Sequence, residues 1–129
     1  MELRILGAHN METRTTRPTS ILVDGVMALD AGGLAASLTL EEQQGIHSIL
    51  LTHRHYDHVK DLPLLGLNTL HLPSTYHVYG MDDTLVYVEG YLLDGALYPR
   101  FTERLSPERP KMRLHSVTPL VPFQVDGLQ

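Results

Sequence analysis

The chain has 129 residues, of which 43% are hydrophobic, and a formal net charge of −5. This length favours a single domain over residues 1–129, and the apolar content excludes a disordered chain. The acidic balance excludes nucleic-acid or anionic-membrane binding driven by bulk charge, while a phosphate-containing substrate stays possible because bound metal reverses the local potential.

The first third of the chain predicts three strands. Leu3–Gly7 alternates and ends in glycine, so it is typical of a first strand. Ser20–Val23 and residues 26–29 flank Asp24 and Gly25, the strongest short hairpin signal in the chain. The N-terminus shows no signal peptide and no segment approaches membrane-spanning length, so we expect a cytoplasmic protein.

The middle of the chain alternates helices and strands. Thr39, three residues before Glu42, predicts a capping box that opens a short helix through residue 44. Beyond it we predict a buried strand over 46–51 and a helix over 59–67 with Pro63 near its start. A strand over 75–79 follows, then a helix through about residue 93 that Asp82 or Asp83 caps. Residues 98–110 are predicted to form a loop.

Two more strands are predicted at the end, over residues 111–117 and 123–128. The order of elements indicates an α/β or α+β layered domain. Asp126 and Gly127 form a turn signal close to Gln129, as if a hairpin began there without its second arm. We therefore expect the chain to be C-terminally truncated.

The densest chemical signal lies directly after the apolar run of residues 49–51. Four potential metal ligands, His53, His55, Asp57 and His58, occur within six residues. Imidazole nitrogen and carboxylate oxygen are ligands that Zn²⁺ and similar divalent ions accept, and a site without cysteine favours open catalytic over closed structural coordination.

The spacing of these ligands favours two neighbouring ions over one. His53 and His55 are two residues apart and can reach one ion from extended backbone, while Asp57 and His58 can turn toward a second. Two such ions can share a bridging water and lower its pKa. The alternative is a His-rich surface turn or a noncatalytic metal site. The isolated histidines elsewhere are interpreted as surface or hydrogen-bonded structural residues.

His53-Arg54-His55-Tyr56-Asp57-His58 resembles the HxHxDH motif of the metallo-β-lactamase superfamily. Asp30, which closes a strand before Ala31 and Gly32, resembles the acidic strand-end motif that precedes this metal loop, and the opening strand resembles those of the ribonuclease Z-like and cyclic-nucleotide phosphodiesterase-like branches. The resemblance covers about residues 1–80.

The resemblance implies an αββα sandwich, of which we expect only the first half to be present, and a site with two ions, zinc or alternatively manganese or iron. His53 and His55 would bind the first ion, and Asp57 and His58 the second. Asp57 would also act catalytically by orienting a bridging hydroxide, and Asp30 would fix the tautomer of a ligand imidazole. A turn-forming role is the equal alternative for Asp30.

The resemblance also implies downstream ligands that the sequence does not reveal. His115 lies in an alternating segment and is interpreted as a strand residue, and Asp126 as a turn residue. The leading hypothesis is a metal-dependent hydrolase of phosphodiesters or esters. The alternative is a noncatalytic metal-binding or assembly module, completed by a second copy or by the missing half because its apolar sheet face is exposed. A redox role with iron is a third option.

Overall fold

The computed structural model describes residues 1–104, 106 and 108–125. Within them, six strands form one sheet in sequence order. The strands are β1 Leu3–Gly7, β2 Ser20–Val23, β3 Met27–Leu29, β4 Ser48–Leu50, β5 Tyr76–Gly80 and β6 Met112–Ser116. The first two pairings, β1 with β2 and β2 with β3, are antiparallel, and β3 to β6 run parallel.

The helices pack against one face of this sheet. Ile49 and Val78 of the central strands are fully buried there, against Leu62 and Leu65 among others. The predicted layered α/β fold is therefore confirmed, as one sheet with one helical layer. The helices are α1 Leu34–Ser37, α2 Leu40–Gly45, α3 Tyr56–Val59, α4 Leu62–Asn68 and α5 Asp82–Tyr87, and a π-helical segment, Val88–Leu92, continues α5.

Two local predictions are confirmed by backbone geometry. Asp24 and Gly25 adopt φ values of 49° and 74°, the left-handed pair that a tight hairpin between β2 and β3 requires. The Thr39 side chain accepts from the Glu42 backbone while the Glu42 carboxylate accepts from the Thr39 backbone, so the capping box opens α2.

The predicted helix over 59–67 is wrong in its extent. The structure has two helices there, and α3 already begins at Tyr56, inside the His cluster. The break at Asp61 has a tertiary cause, because its buried carboxylate accepts a 2.7 Å hydrogen bond from the Ala35 backbone near the start of α1. Helix α1 was not predicted, because it has only four residues and its N-cap, Gly33, has no side chain that could cap it.

The end of the chain also differs from the prediction. Neither Asp82 nor Asp83 caps α5, whose N-cap is Met81, because Asp82 accepts a hydrogen bond from Ser116 of β6. Residues 123–125 form no strand with an assigned range. The remainder of that predicted strand, with the Asp126 turn, lies outside the described residues.

The parallel strands place the chemically interesting residues at one edge. The carboxyl ends of β3 and β4 lead directly into Asp30 and into the His cluster. Ligand sites of open α/β sheets form at this edge. In the described part of the chain, none of the helices is long and apolar enough to cross a membrane.

Candidate metal centre

The turn after β3 and the loop after β4 are bonded to each other. Asp30 has φ 59° and donates its backbone N–H to Leu50 at 2.8 Å, and Ala31 donates to the carbonyl of His58 at 2.7 Å. The left-handed turn therefore holds the start of α3 against the end of β3. Asp30 is both a turn residue and a neighbour of the His cluster, so the two interpretations of this residue coexist.

Three imidazoles form one contiguous cluster. The ring centroid of His53 lies 4.6 Å from that of His55 and 4.1 Å from that of His58. The carboxylate of Asp57 lies 3.3 Å from Nε2 of His58. The four side chains singled out in the sequence are thus successive neighbours at the sheet edge, from His55 through His53 and His58 to Asp57.

Asp30 fixes the orientation of His58. Its Oδ2 lies 2.7 Å from His58 Nδ1, and its side chain is almost fully buried. A carboxylate accepts hydrogen bonds, so Nδ1 carries the proton and Nε2 keeps its lone pair when the ring is neutral. The bond thereby presents Nε2 on the Asp57 side, in the form that can ligate a cation.

Thr52 extends the same control to His53. Its hydroxyl lies 3.0 and 2.9 Å from the two carboxylate oxygens of Asp30 and 3.0 Å from His53 Nδ1. When the hydroxyl donates to Asp30, its oxygen accepts from His53 Nδ1, and Nε2 of His53 is again the lone-pair nitrogen. Sequence reasoning missed this role, because it depends on a contact with Asp30, 22 residues earlier in the chain.

Gly32 permits the close approach of the two segments. A Cβ at this position would overlap the carbonyl oxygen of Asp57, and it would lie 2.8 Å from Cβ of Pro18. Glycine is therefore required by packing, because the turn after β3 lies directly on the backbone of α3.

The donor set fits a divalent ion in its chemistry, with neutral imidazoles and a carboxylate. Within residues 1–104, 106 and 108–125, no three His, Asp or Glu side chains are arranged so that they could hold an ion together. In this arrangement the potential ligating atoms of Asp57 and His58 contact each other instead. The assignment of His53 and His55 to one ion, and of Asp57 and His58 to another, stays a prediction.

Comparison with known proteins identifies the family. The family described as the beta-lactamase superfamily domain matches residues 19–129. The chain belongs to this family. No curated protein sequence matches it.

The beta-lactamase superfamily assignment agrees with two solved structures. Yeast PDE1, solved without a ligand, is similar over 95% of this chain with a TM-score of 0.75 and 14% identity. YhfI from Bacillus subtilis, a metallo-beta-lactamase fold protein, is similar over 95% with a TM-score of 0.67 and 14% identity. The chain spans 52% and 48% of those two chains, about half of their length.

His115 lies in β6, as the sequence indicated, and contacts its neighbours on the next strand. Its Nε2 is 2.8 Å from Nδ1 of His77, and its ring stacks on Tyr79 with centroids 4.7 Å apart. Burial, and secondarily the nearby His77 and Arg113, lower the pKa of His115 below its ordinary value of 6.5.

A cleft borders the His cluster on the side of α5 in this superfamily domain. It has a volume of about 410 Å³ and is lined by His55 and Arg54 together with three tyrosines, Tyr56, Tyr87 and Tyr91. The guanidinium of Arg54 lies over the Tyr87 ring at 4.5 Å and bonds Asp83 at 3.0 Å. Arg54 is thus held in place beside a residue of the candidate metal centre.

Proposed function

We propose that this chain carries the first half of a metal-dependent hydrolase site. One observation supports the proposal above all: Asp30 orients His58 directly and His53 through Thr52, so that both present Nε2 as lone-pair donors beside His55 and Asp57. Such supporting hydrogen bonds accompany histidines that ligate metals. Membership in the beta-lactamase superfamily domain family adds independent support for a hydrolase-type fold.

His53 and His55 would hold one divalent ion, and Asp57 with His58 a second, with zinc as the first candidate and manganese or iron as alternatives. When bound, these ions supply Lewis-acid activation of water and of the substrate oxygen. Asp57 would orient the attacking water and accept its proton. Asp30 would keep the imidazoles in the ligating tautomer.

The proposed substrates are phosphodiesters first and carboxylic esters second, in a cytoplasmic setting. The similarity to yeast PDE1 supports the choice of phosphodiester, although at 14% identity it establishes only the fold. Arg54 also lines the cleft beside His55, and its guanidinium, which is paired with Asp83, has further N–H donors for an anionic substrate group.

The test combines metal stoichiometry with turnover. We expect dialysed protein to bind at least one equivalent of Zn²⁺ or Mn²⁺ and to hydrolyse bis(4-nitrophenyl) phosphate or 4-nitrophenyl acetate. His55→Ala should lower turnover more than about 100-fold. His71→Ala, which removes an exposed histidine away from the cluster, is the matched control. Binding below one equivalent, together with an unchanged His55→Ala variant, would refute the proposal.

A second candidate function is a noncatalytic metal-binding or assembly module. The observation that favours it is the exposed sheet face at β1, where Leu3 and Ile5 are 60% and 73% exposed. A second copy or a complementary half would cover this face. Metal binding without turnover on a panel of phosphodiesters and esters supports this candidate. Specific activity that rises with protein concentration would instead indicate a site completed by two copies.

A further inference from the structure

The tyrosines that line the cleft beside His55 take no part in the hydrolysis proposed above. Tyr56 and Tyr91 expose 69% and 79% of their surface although they line the same concave space. Grouped exposed aromatic residues around a cleft mark ligand sites more often than ordinary surface. The volume of about 410 Å³ lies within the range of small-molecule pockets.

Flat side-chain surfaces border the cleft. The Tyr87 and Tyr91 rings are nearly parallel, with an interplanar angle of 17° and centroids 5.8 Å apart. The Arg54 guanidinium lies over Tyr87 and is also paired with Asp83. Flat aromatic and guanidinium surfaces suit a planar aromatic ring, because stacking adds to simple burial.

The backbone that carries Tyr91 is unusual. Tyr91 lies in the π-helical segment Val88–Leu92, which follows α5 directly. Short π-helical segments occur frequently at functional sites. Here the segment places Tyr91 where it lines this cleft and also a second depression of about 430 Å³ that reaches Tyr98.

We propose that this cleft is a specificity site for a planar aromatic group of the substrate, held next to the phosphoryl or acyl centre that reacts at the His cluster. The proposal rests on the hydrolase function given above. Tyr91, whose ring is the most exposed of the three tyrosines, would contact the aromatic group, while Tyr87 already stacks on Tyr91 and on the Arg54 guanidinium. Arg54 would bind the negative charge between the ring and His55. No covalent step takes place in the cleft.

The experiment compares matched anions with and without a ring. Phenylphosphonate and methylphosphonate, neither of which is a phosphate ester, are titrated into the zinc-loaded protein by calorimetry. We expect phenylphosphonate to bind about tenfold more tightly, the gain that one aromatic stacking contact supplies. Adenosine 5′-monophosphate and ribose 5-phosphate form a second pair. The pair with the larger ratio of affinities, with the ring over without it, shows whether a phenyl or a purine ring fits the cleft better.

Variants of Tyr91 locate the effect. Tyr91→Ala should reduce the phenyl-to-methyl ratio to near one, whereas Tyr91→Phe should retain it because the ring remains. Phe123→Ala is the matched control, since Phe123 is also a partly exposed aromatic residue that stacks on a tyrosine, Tyr79, and it lies outside the cleft. Circular dichroism of each variant verifies folding.

The outcomes separate this proposal from the hydrolase proposal. If the two members of each pair bind equally tightly, the aromatic cleft is refuted while the metal centre stands. If neither binds but zinc does, an anion site at the cluster is refuted and the cleft proposal with it. A ring preference that survives Tyr91→Ala unchanged also overturns the assignment.

Discussion

At the scale of single residues, Asp30 is the organising group of the candidate centre. Its carboxylate contacts His58 Nδ1, the Thr52 hydroxyl and the Thr52 backbone N–H, which lies 2.8 Å away. One buried carboxylate therefore sets the tautomers of two imidazoles. Because Thr52 carries this influence to His53, its hydroxyl should matter for metal affinity although it need not touch an ion.

Thr52→Val removes that hydroxyl at nearly constant volume. We expect zinc affinity to fall about 10-fold or more, the usual effect of losing a partner that orients a ligand, while Thr52→Ser retains most of it. Competition with a chromogenic zinc chelator measures the change. Thr118→Val is the control, because Thr118 is an exposed threonine in the segment after β6 and is not bonded to Asp30 or to the His cluster. Equal zinc affinity of Thr52→Val and the parent chain would contradict the relay.

At the scale of elements, the turn after β3 fits against the first turn of α3 through Gly32. Gly32→Ala places a Cβ against the Asp57 carbonyl and the Pro18 side chain, and backbone cannot give way as a flexible side chain can. We expect a loss of about 2 kcal/mol or more in the free energy of unfolding, measured by urea denaturation. Gly90→Ala is the control, because nothing lies within 4 Å of a Cβ there. Equal stabilities of these two variants would show that the turn is not closely packed.

The element scale also shows what the sequence could and could not predict. The hairpin at Asp24 and the capping box at Thr39 depend on neighbouring residues alone, so their sequence signals were sufficient. Helix α1 and the break at Asp61 depend on each other across 26 residues, through the bond from Ala35 to Asp61. No local pattern records such a contact. The same limit applies to Thr52, whose role appears only once Asp30 is beside it.

Strands β5 and β6 predict a pH dependence of stability. His115 pairs with His77, stacks on Tyr79 and lies near Arg113, and its pKa is lowered, so the folded chain favours the neutral ring. The unfolded chain then binds a proton first as pH falls below about 6.5, and stability falls with it. The stabilisation that comes from the neutral His115 ring is fully present above about pH 6.5. It is lost as the pH falls toward the lower pKa of His115 in the folded chain.

Urea denaturation between pH 8 and pH 5 measures this dependence. His115→Gln should flatten the loss of stability toward low pH, while His71→Gln, which alters an exposed histidine, should leave the slope as it is in the parent chain. Identical slopes for His115→Gln and the parent would show that burial beside His77 has no energetic consequence.

At the scale of the whole molecule, the helices of the described residues cover one face of the sheet. The opposite face carries two rows of apolar residues that pair across the first three strands. One row is Leu3, Val23 and Met27, and the other is Ile5, Ile21 and Leu29. Around Val23 and Met27 a small second cluster includes Val125, so the segment after β6 shields part of this face. The β1 end keeps its apolar side chains in solvent.

An exposed apolar edge strand is a template for association, and a charge placed on it opposes pairing. We expect the chain to self-associate with increasing concentration in sedimentation velocity, and the double variant Leu3→Lys and Ile5→Lys, which repels its own copy, to remain at its lowest-mass species. Met11→Lys, which adds a charge to an exposed loop residue, should associate like the parent chain. If the double variant associates as strongly as the parent, the β1 end is not the contact surface. If the parent chain is monomeric at all concentrations, the assembly-module proposal loses its structural support, because the apolar face at β1 then stays exposed to solvent without a partner.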